Sequence, residues 1–327
     1  MSLAVYFPRE MNEPDIQYLL DQLDGAVSLS VEKEIPNPAN YQVLVAGRPT
    51  KQQLEASPQL SKVVIPWAGV PEPTHEIMKE YPHISVYNLH HNAEATAETA
   101  LMLLFAAAKR IIPIEYRFRQ HDWRPRYQPN PALLLRGKTI LILGFGRIGR
   151  HVARVCQPLG MQVLGIRRSP HSPVPEDIQA ELFPYQELRS LLPRANILMI
   201  TAPLTEETRG MIGTQELSLL PPNAILVNVG RGAIVDQQAL YQALKQGSLH
   251  SAGIDVWYNY PEDEPQRADT PPADFPFHEL DNIVMSPHRG GGAQEIERLR
   301  LDHLANLLNG FARGEDGANR VDLERGY

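Results

Sequence analysis

Short apolar runs alternate along the chain with longer stretches whose apolar positions recur at helical spacing, the pattern of strands and helices taken in turn. It predicts an α/β fold with mostly parallel sheets. In the first third, strands are expected at 2–7, 41–46, 62–66 and 84–88, with helices at 15–23 and 74–81. An Ala-rich helical run covers 93–119 and should break near Pro113, which lacks the N–H a helix needs. A proline-bearing loop, 120–131, follows. The pattern then restarts with strands at 139–143, 162–166, 197–201, 224–229, 250–255 and 283–285, a helix at 147–157 and a last helix at 293–308. Six strands in this region fit one doubly wound sheet, and no internal repeat of fixed period is visible.

The sequence has 327 residues, enough for about two domains, each with a proper core. Lys and Arg number 31 against 38 Asp and Glu, a net charge of −7, with no basic block. That balance argues against nucleic acid or an anionic membrane as partner. A single cysteine, Cys156, excludes an internal disulfide, and no Cys/His cluster has zinc spacing, so no metal is expected. The start lacks the basic and apolar regions of a signal peptide. The longest apolar run, 100–108, is about half the ~18 residues of a membrane span. A cytoplasmic location is the expectation.

Candidate chemistry begins at Gly144-Phe145-Gly146-Arg147-Ile148-Gly149, which follows an apolar strand and opens a helix. This is the context of a dinucleotide fingerprint, in which glycines allow the turn and the approach of pyrophosphate to a helix N-terminus. About 20 residues on, where a carboxylate would bind the ribose hydroxyls of NAD, stand Arg167, Arg168 and Ser169. Two cations and a hydroxyl favour NADP, with NAD possible.

An ordered series of motifs covering nearly the whole chain resembles the D-isomer-specific 2-hydroxyacid dehydrogenases. It runs from Asn88 and Ala97-Glu98 through the glycine fingerprint, Ala202-Pro203-Leu204-Thr205 with Thr208, and Asn228-Val229-Gly230-Arg231-Gly232. It continues through Gly253-Ile254-Asp255-Val256 and Ser286-Pro287-His288, ahead of Gly290, to Val321-Asp322. The resemblance implies two Rossmann-like domains. A nucleotide domain, 96–287, would be inserted into a smaller flavodoxin-like substrate domain of 1–95 plus 288–327, with the chain crossings as a hinge. It implies hydride transfer between the cofactor and a small 2-oxo or 2-hydroxy acid. Arg231 would hold the carboxylate and polarise the carbonyl, and His288 would be the acid/base. Ala202, Pro203, Thr208, Val229, Gly230 and Gly290 would line the cofactor, with Asp255 on the nicotinamide amide. Trp67-Ala68-Gly69 would anchor the substrate carboxylate, and the protein would form a homodimer through its nucleotide domain.

One position departs from the family pattern. Five residues after Asp255, where most members carry a Glu paired with the His, this chain has Tyr260. Either Tyr260 hydrogen-bonds the imidazole or Glu262 folds back to it. The acidic, proline-rich stretch 262–277 reads as a long surface loop. His90 and His91 either face the substrate or are solvated. Loss of the Glu also leaves an alternative function open, a nucleotide-sensing interaction protein like the family's corepressors.

Overall fold

In the computed structural model, which describes residues 2–317 and 319–324, the chain divides into two compact units, 1–92 with 293–327 and 93–292. The first is built from β1 (Leu3–Phe7), α1 (Glu13–Gln22), β2 (Val27–Val31), β3 (Val43–Val45), α2 (Lys51–Ala56), β4 (Lys62–Ile65), α3 (Glu72–Lys79) and β5 (Ser85–Asn88). Its all-parallel sheet has the order β2-β1-β3-β4-β5. Alternate residues of each strand feed two cores. Val5, Phe7, Val43, Val45 and Val64 face one side, while Tyr6, Leu44, Val63 and Ile65 face the other with Leu54 of α2 and Met78 of α3. The sequence pattern missed β2 and α2. The alternation Val27-Ser28-Leu29-Ser30-Val31 does carry a strand signal, and Thr50 with Gln53 forms a capping box at α2.

The second unit contains α4 (Ala93–Lys109), α5 (Ile111–Arg119), β6 (Thr139–Leu143), α6 (Arg147–Cys156), β7 (Gln162–Ile166), β8 (Glu181–Phe183), α7 (Leu188–Leu191) and β9 (Ile197–Ile200). It continues with α8 (Thr214–Leu219), β10 (Ala224–Asn228), α9 (Gln237–Lys245), β11 (Leu249–Ile254) and β12 (Ile283–Met285). The final helix, α10 (Ile296–Ala312), returns to the first unit. The second sheet is parallel throughout, with order β12-β11-β10-β9-β6-β7-β8. It has seven strands where six were expected. The addition, β8, is a three-residue edge strand too short to show a period.

Helices cover both faces of this sheet, which is why its strands read as continuous apolar runs. Ile140 and Ile142 of β6 pack with Leu104 of α4 and Val152 of α6, while Leu141 and Leu143 pack with Leu217 of α8 and Leu240 of α9. The long helical run breaks earlier than Pro113. Arg110 takes φ 51°, α5 starts at Ile111, and Pro113 sits in its first turn, where a missing N–H costs nothing. No helix among the described residues is long and apolar enough to cross a membrane.

Candidate active site

The site assembles at the strand tips of the second unit. After β6 the chain turns at Gly144, whose φ of 96° favours glycine, and a side chain there would strike the backbone of Ala202. This turn lies between β6 and β9, where strand order reverses and open α/β sheets bind ligands. Around Gly146 an added Cβ would meet only the Gly144 carbonyl, at 4.0 Å. The first turn of α6 has no side-chain cap. Open backbone at a helix N-terminus is the cradle a pyrophosphate needs, so these residues fit a dinucleotide. Phe145 contributes differently from its neighbours. Its ring is buried, and its N–H donates to the Ile166 carbonyl (2.8 Å), so it packs the turn against β7.

Two other expected cofactor positions also make contacts within the protein. The Thr208 hydroxyl donates to the Pro203 carbonyl (2.8 Å) and accepts from the Thr205 N–H (2.8 Å), which shapes the loop after β9. At the tip of β7, Arg167 is buried and folds into its own loop, where Nη2 donates to the carbonyls of Pro170 (3.2 Å) and Ser172. Arg168 and Ser169 are exposed beside it.

At the tip of β10, the Asn228 side chain accepts from the Gly230 N–H (3.0 Å) and donates to the Arg231 carbonyl (2.9 Å). A side chain at 230 would come within 2.5 Å of the Ala202 carbonyl, and one at 232 would hit the Trp257 backbone. Flanked by two glycines that pass through tight gaps, Arg231 is left exposed. After β11, the buried Asp255 carboxylate accepts from the Ser286 hydroxyl (2.5 Å) and the N–H groups of Arg289 (2.9 Å) and Gly290 (2.8 Å). This carboxylate, expected on the nicotinamide amide, also pins the segment that presents His288, which adopts φ 56°.

Tyr260 packs its ring on His288, with centroids 5.5 Å apart and planes at 57°. Its hydroxyl accepts the Trp257 N–H (3.0 Å); the expected hydrogen bond to the imidazole is replaced by this ring contact. Glu262 is exposed, its N–H donating to Gln266, and among the described residues no ion pair joins it to His288. Burial of one flank holds His288 below its ordinary pKa, the Arg231 cation adds to the effect, and Asp255 offsets part of it. Burial likewise raises Tyr260, with Arg231 opposing.

The stretch 262–277 is more than surface loop. Ala273 and Phe277 enter the core, with Phe277 edge-on to both Tyr241 and Trp257. The Pro272 carbonyl accepts from the N–H groups of Tyr258 (3.1 Å) and Asn259 (3.0 Å), and Asp274 accepts from the Asn259 amide (3.0 Å). This stretch therefore braces the turn that carries Tyr260. Sequence reasoning missed that role, although aromatic residues at 275 and 277 inside a polar loop were a signal.

In the first unit, the turn after β4 is held by the Asn88 amide on the Ala68 carbonyl (2.7 Å) and the Leu89 N–H on the Trp67 carbonyl (3.3 Å). Trp67 is exposed, and the N–H groups of Ala68 and Gly69 have no protein acceptor among the described residues. Neither His90 nor His91 is fully solvated. Burial, with Arg300 and His303 adding, pushes His91 down to about 4.

A family model described as D-isomer specific 2-hydroxyacid dehydrogenase, NAD binding domain, matches residues 101–290. The chain belongs to this family. The glyoxylate reductase of Korarchaeum cryptofilum is 39% identical over 237 residues, which is 71% of this chain and 67% of that one. The D-3-phosphoglycerate dehydrogenase of Methanocaldococcus jannaschii is 30% identical over 308 residues, 92% of this chain and 56% of that one. A crystal structure of a D-isomer specific 2-hydroxyacid dehydrogenase from Xanthobacter autotrophicus superposes with a TM-score of 0.78, covering 100% of both chains at 23% identity. This 2-hydroxyacid dehydrogenase is thus an NAD(P)-dependent oxidoreductase of α/β fold, acting on a small 2-oxo or 2-hydroxy acid. The corepressor-like alternative gains no support, since these relatives bear enzyme names.

Proposed function

We propose that this dehydrogenase reduces a small 2-oxo acid of the glyoxylate or hydroxypyruvate kind and prefers NADPH. The observation that carries the reading is the meeting of Arg231 and His288, presented after β10 and β12, close enough for the cation to act on the imidazole. A bound nicotinamide supplies the hydride. Arg231 holds the carboxylate and polarises the carbonyl, which bidentate, charge-assisted hydrogen bonds do well. His288 gives its proton to the carbonyl oxygen as charge develops there, and in the reverse direction takes the hydroxyl proton. Tyr260 positions the imidazole by packing. The preference for NADPH is supported by Arg167, Arg168 and Ser169 standing where a carboxylate would select NADH.

The test is oxidation of NADPH and NADH, followed by absorbance, over a panel of glyoxylate, hydroxypyruvate and phosphohydroxypyruvate. Turnover of one or more acids, faster per unit concentration with NADPH, is expected. Absence of turnover on every 2-oxo acid overturns the substrate class, and a better kcat/KM with NADH overturns the cofactor preference. The reading also includes a cytoplasmic homodimer joined through the nucleotide-binding unit. Supporting the dimer, Ile111, Ile112, Tyr116 and Phe118 of α5 are all exposed, and the helix buries none of its residues.

A further inference from the structure

We propose that Arg150 is a cofactor-specificity residue, completing with Arg147 and Arg167 a three-guanidinium cradle for the 2′-phosphate of NADPH. The inference rests on the NADPH reading above and names a residue outside the glycine fingerprint and outside the tip of β7. Arg147 and Arg150 are three residues apart in the first turns of α6, a spacing that puts them on one side of the helix. Arg167 ends the neighbouring strand. Besides burial, the charge of Arg150 acts on both Arg147 and Arg167. Arg150 therefore stands near both, and among the described residues it forms no ion pair.

Hydrogen bonding points the same way. The Nε atoms of Arg150 and Arg167 are buried without a hydrogen-bond partner among the described residues. Arg167 is itself more than nine-tenths buried, with Nη2 already spent on its own loop. Farther along α6, Arg154 is paired with Asp177 at 2.6 Å, so this helix does neutralise an arginine where a carboxylate stands opposite. Among the described residues, Arg150 has no such partner.

Gathered cations and unsatisfied buried donors both cost free energy, and a phosphate dianion removes both costs at once. A ribose 2′-hydroxyl carries no charge and relieves only one donor. The choice of the 2′-phosphate over the pyrophosphate follows from Arg167. The pyrophosphate belongs on the open backbone at Gly146, whereas the tip of β7 marks the ribose end of a dinucleotide. Arg150 is the residue of α6 whose charge reaches that tip.

The experiment measures dissociation constants of NADPH and NADH, without substrate, by calorimetry on the purified wild type, Arg150→Gln and Arg150→Lys. Adenosine 2′,5′-bisphosphate and adenosine 5′-monophosphate serve as a second pair of probes. The expected result is that Arg150→Gln weakens NADPH and the bisphosphate by about tenfold or more, the loss of one charge-assisted contact, and changes NADH and the monophosphate by less than about twofold. Arg150→Lys should recover much of the loss, and thermal melting of each variant establishes that it is folded. Equal weakening of both members of each pair assigns Arg150 to the shared part of the dinucleotide and overturns the proposal, as does an unchanged ratio. A wild type that binds NADH at least as tightly as NADPH defeats the underlying cofactor reading, and that result is visible before any variant is made.

Discussion

His288 concentrates the chemistry at the scale of single residues. Its backbone takes φ 56°, a left-handed conformation that costs a non-glycine residue roughly 1 kcal/mol, and Asp255 secures it through the flanking N–H groups. With its pKa lowered by burial and by Arg231, the imidazole loses its proton at a pH below the usual histidine range. Reduction needs the protonated ring, so reductive kcat should already be falling below that range as pH rises, while oxidation, which needs the neutral ring, should persist to lower pH. Tyr260→Glu places a carboxylate beside the ring and should move the basic limb of the reductive profile upward; a kcat profile that does not move contradicts the acid role. Arg231→Ala should cut kcat/KM by about a hundredfold or more while leaving NADPH affinity nearly intact, which steady-state kinetics and calorimetry check together. The placement of Arg231 and His288 just past strand ends was legible in the sequence, because each sits in a short motif after an apolar run. The burial of Arg167 was not legible, since a sequence displays a charge without showing which carbonyls the chain will fold around it.

Among the elements, the central strands and long helices were readable because burial on both faces makes β6, β7, β9, β10 and β11 into unbroken apolar runs. What escaped were pieces whose stability is borrowed. The edge strand β8 has three residues, and the brace at 272–277 has no periodicity, because it is held by one carbonyl, one carboxylate and a few aromatic contacts. Phe277→Ala should cost about 3–5 kcal/mol in chemical denaturation, as for other buried aromatic rings. It should also lower kcat, since Trp257, which Phe277 supports, begins the turn that carries Tyr260. Unchanged kcat in a folded, destabilised variant would separate the brace from the chemistry.

For the molecule as a whole, the two parallel sheets share a construction principle, and both were foreseeable from alternating strands and helices. Assembly is a further property at this scale. If α5 forms the homodimer contact, Phe118→Glu should convert a dimer into a folded monomer in size-exclusion chromatography with light scattering, and a monomeric wild type would remove that part of the reading. The discontinuity of the first unit has its own consequence. Leu301, Leu304, Leu308 and Phe311 of α10 complete the core formed by Val5, Phe7 and Val43, and Asn309 bonds to the Gln22 carbonyl (2.9 Å) and to the Asp24 N–H (2.9 Å). On a translating ribosome, residues 93–292 emerge as an uninterrupted segment and can close their own sheet, while the residues before them wait, half-covered, until α10 is made. The part of the first unit made before residues 93–292 is thus finished only after them, and its uncovered apolar face is where a nascent-chain chaperone would have something to hold.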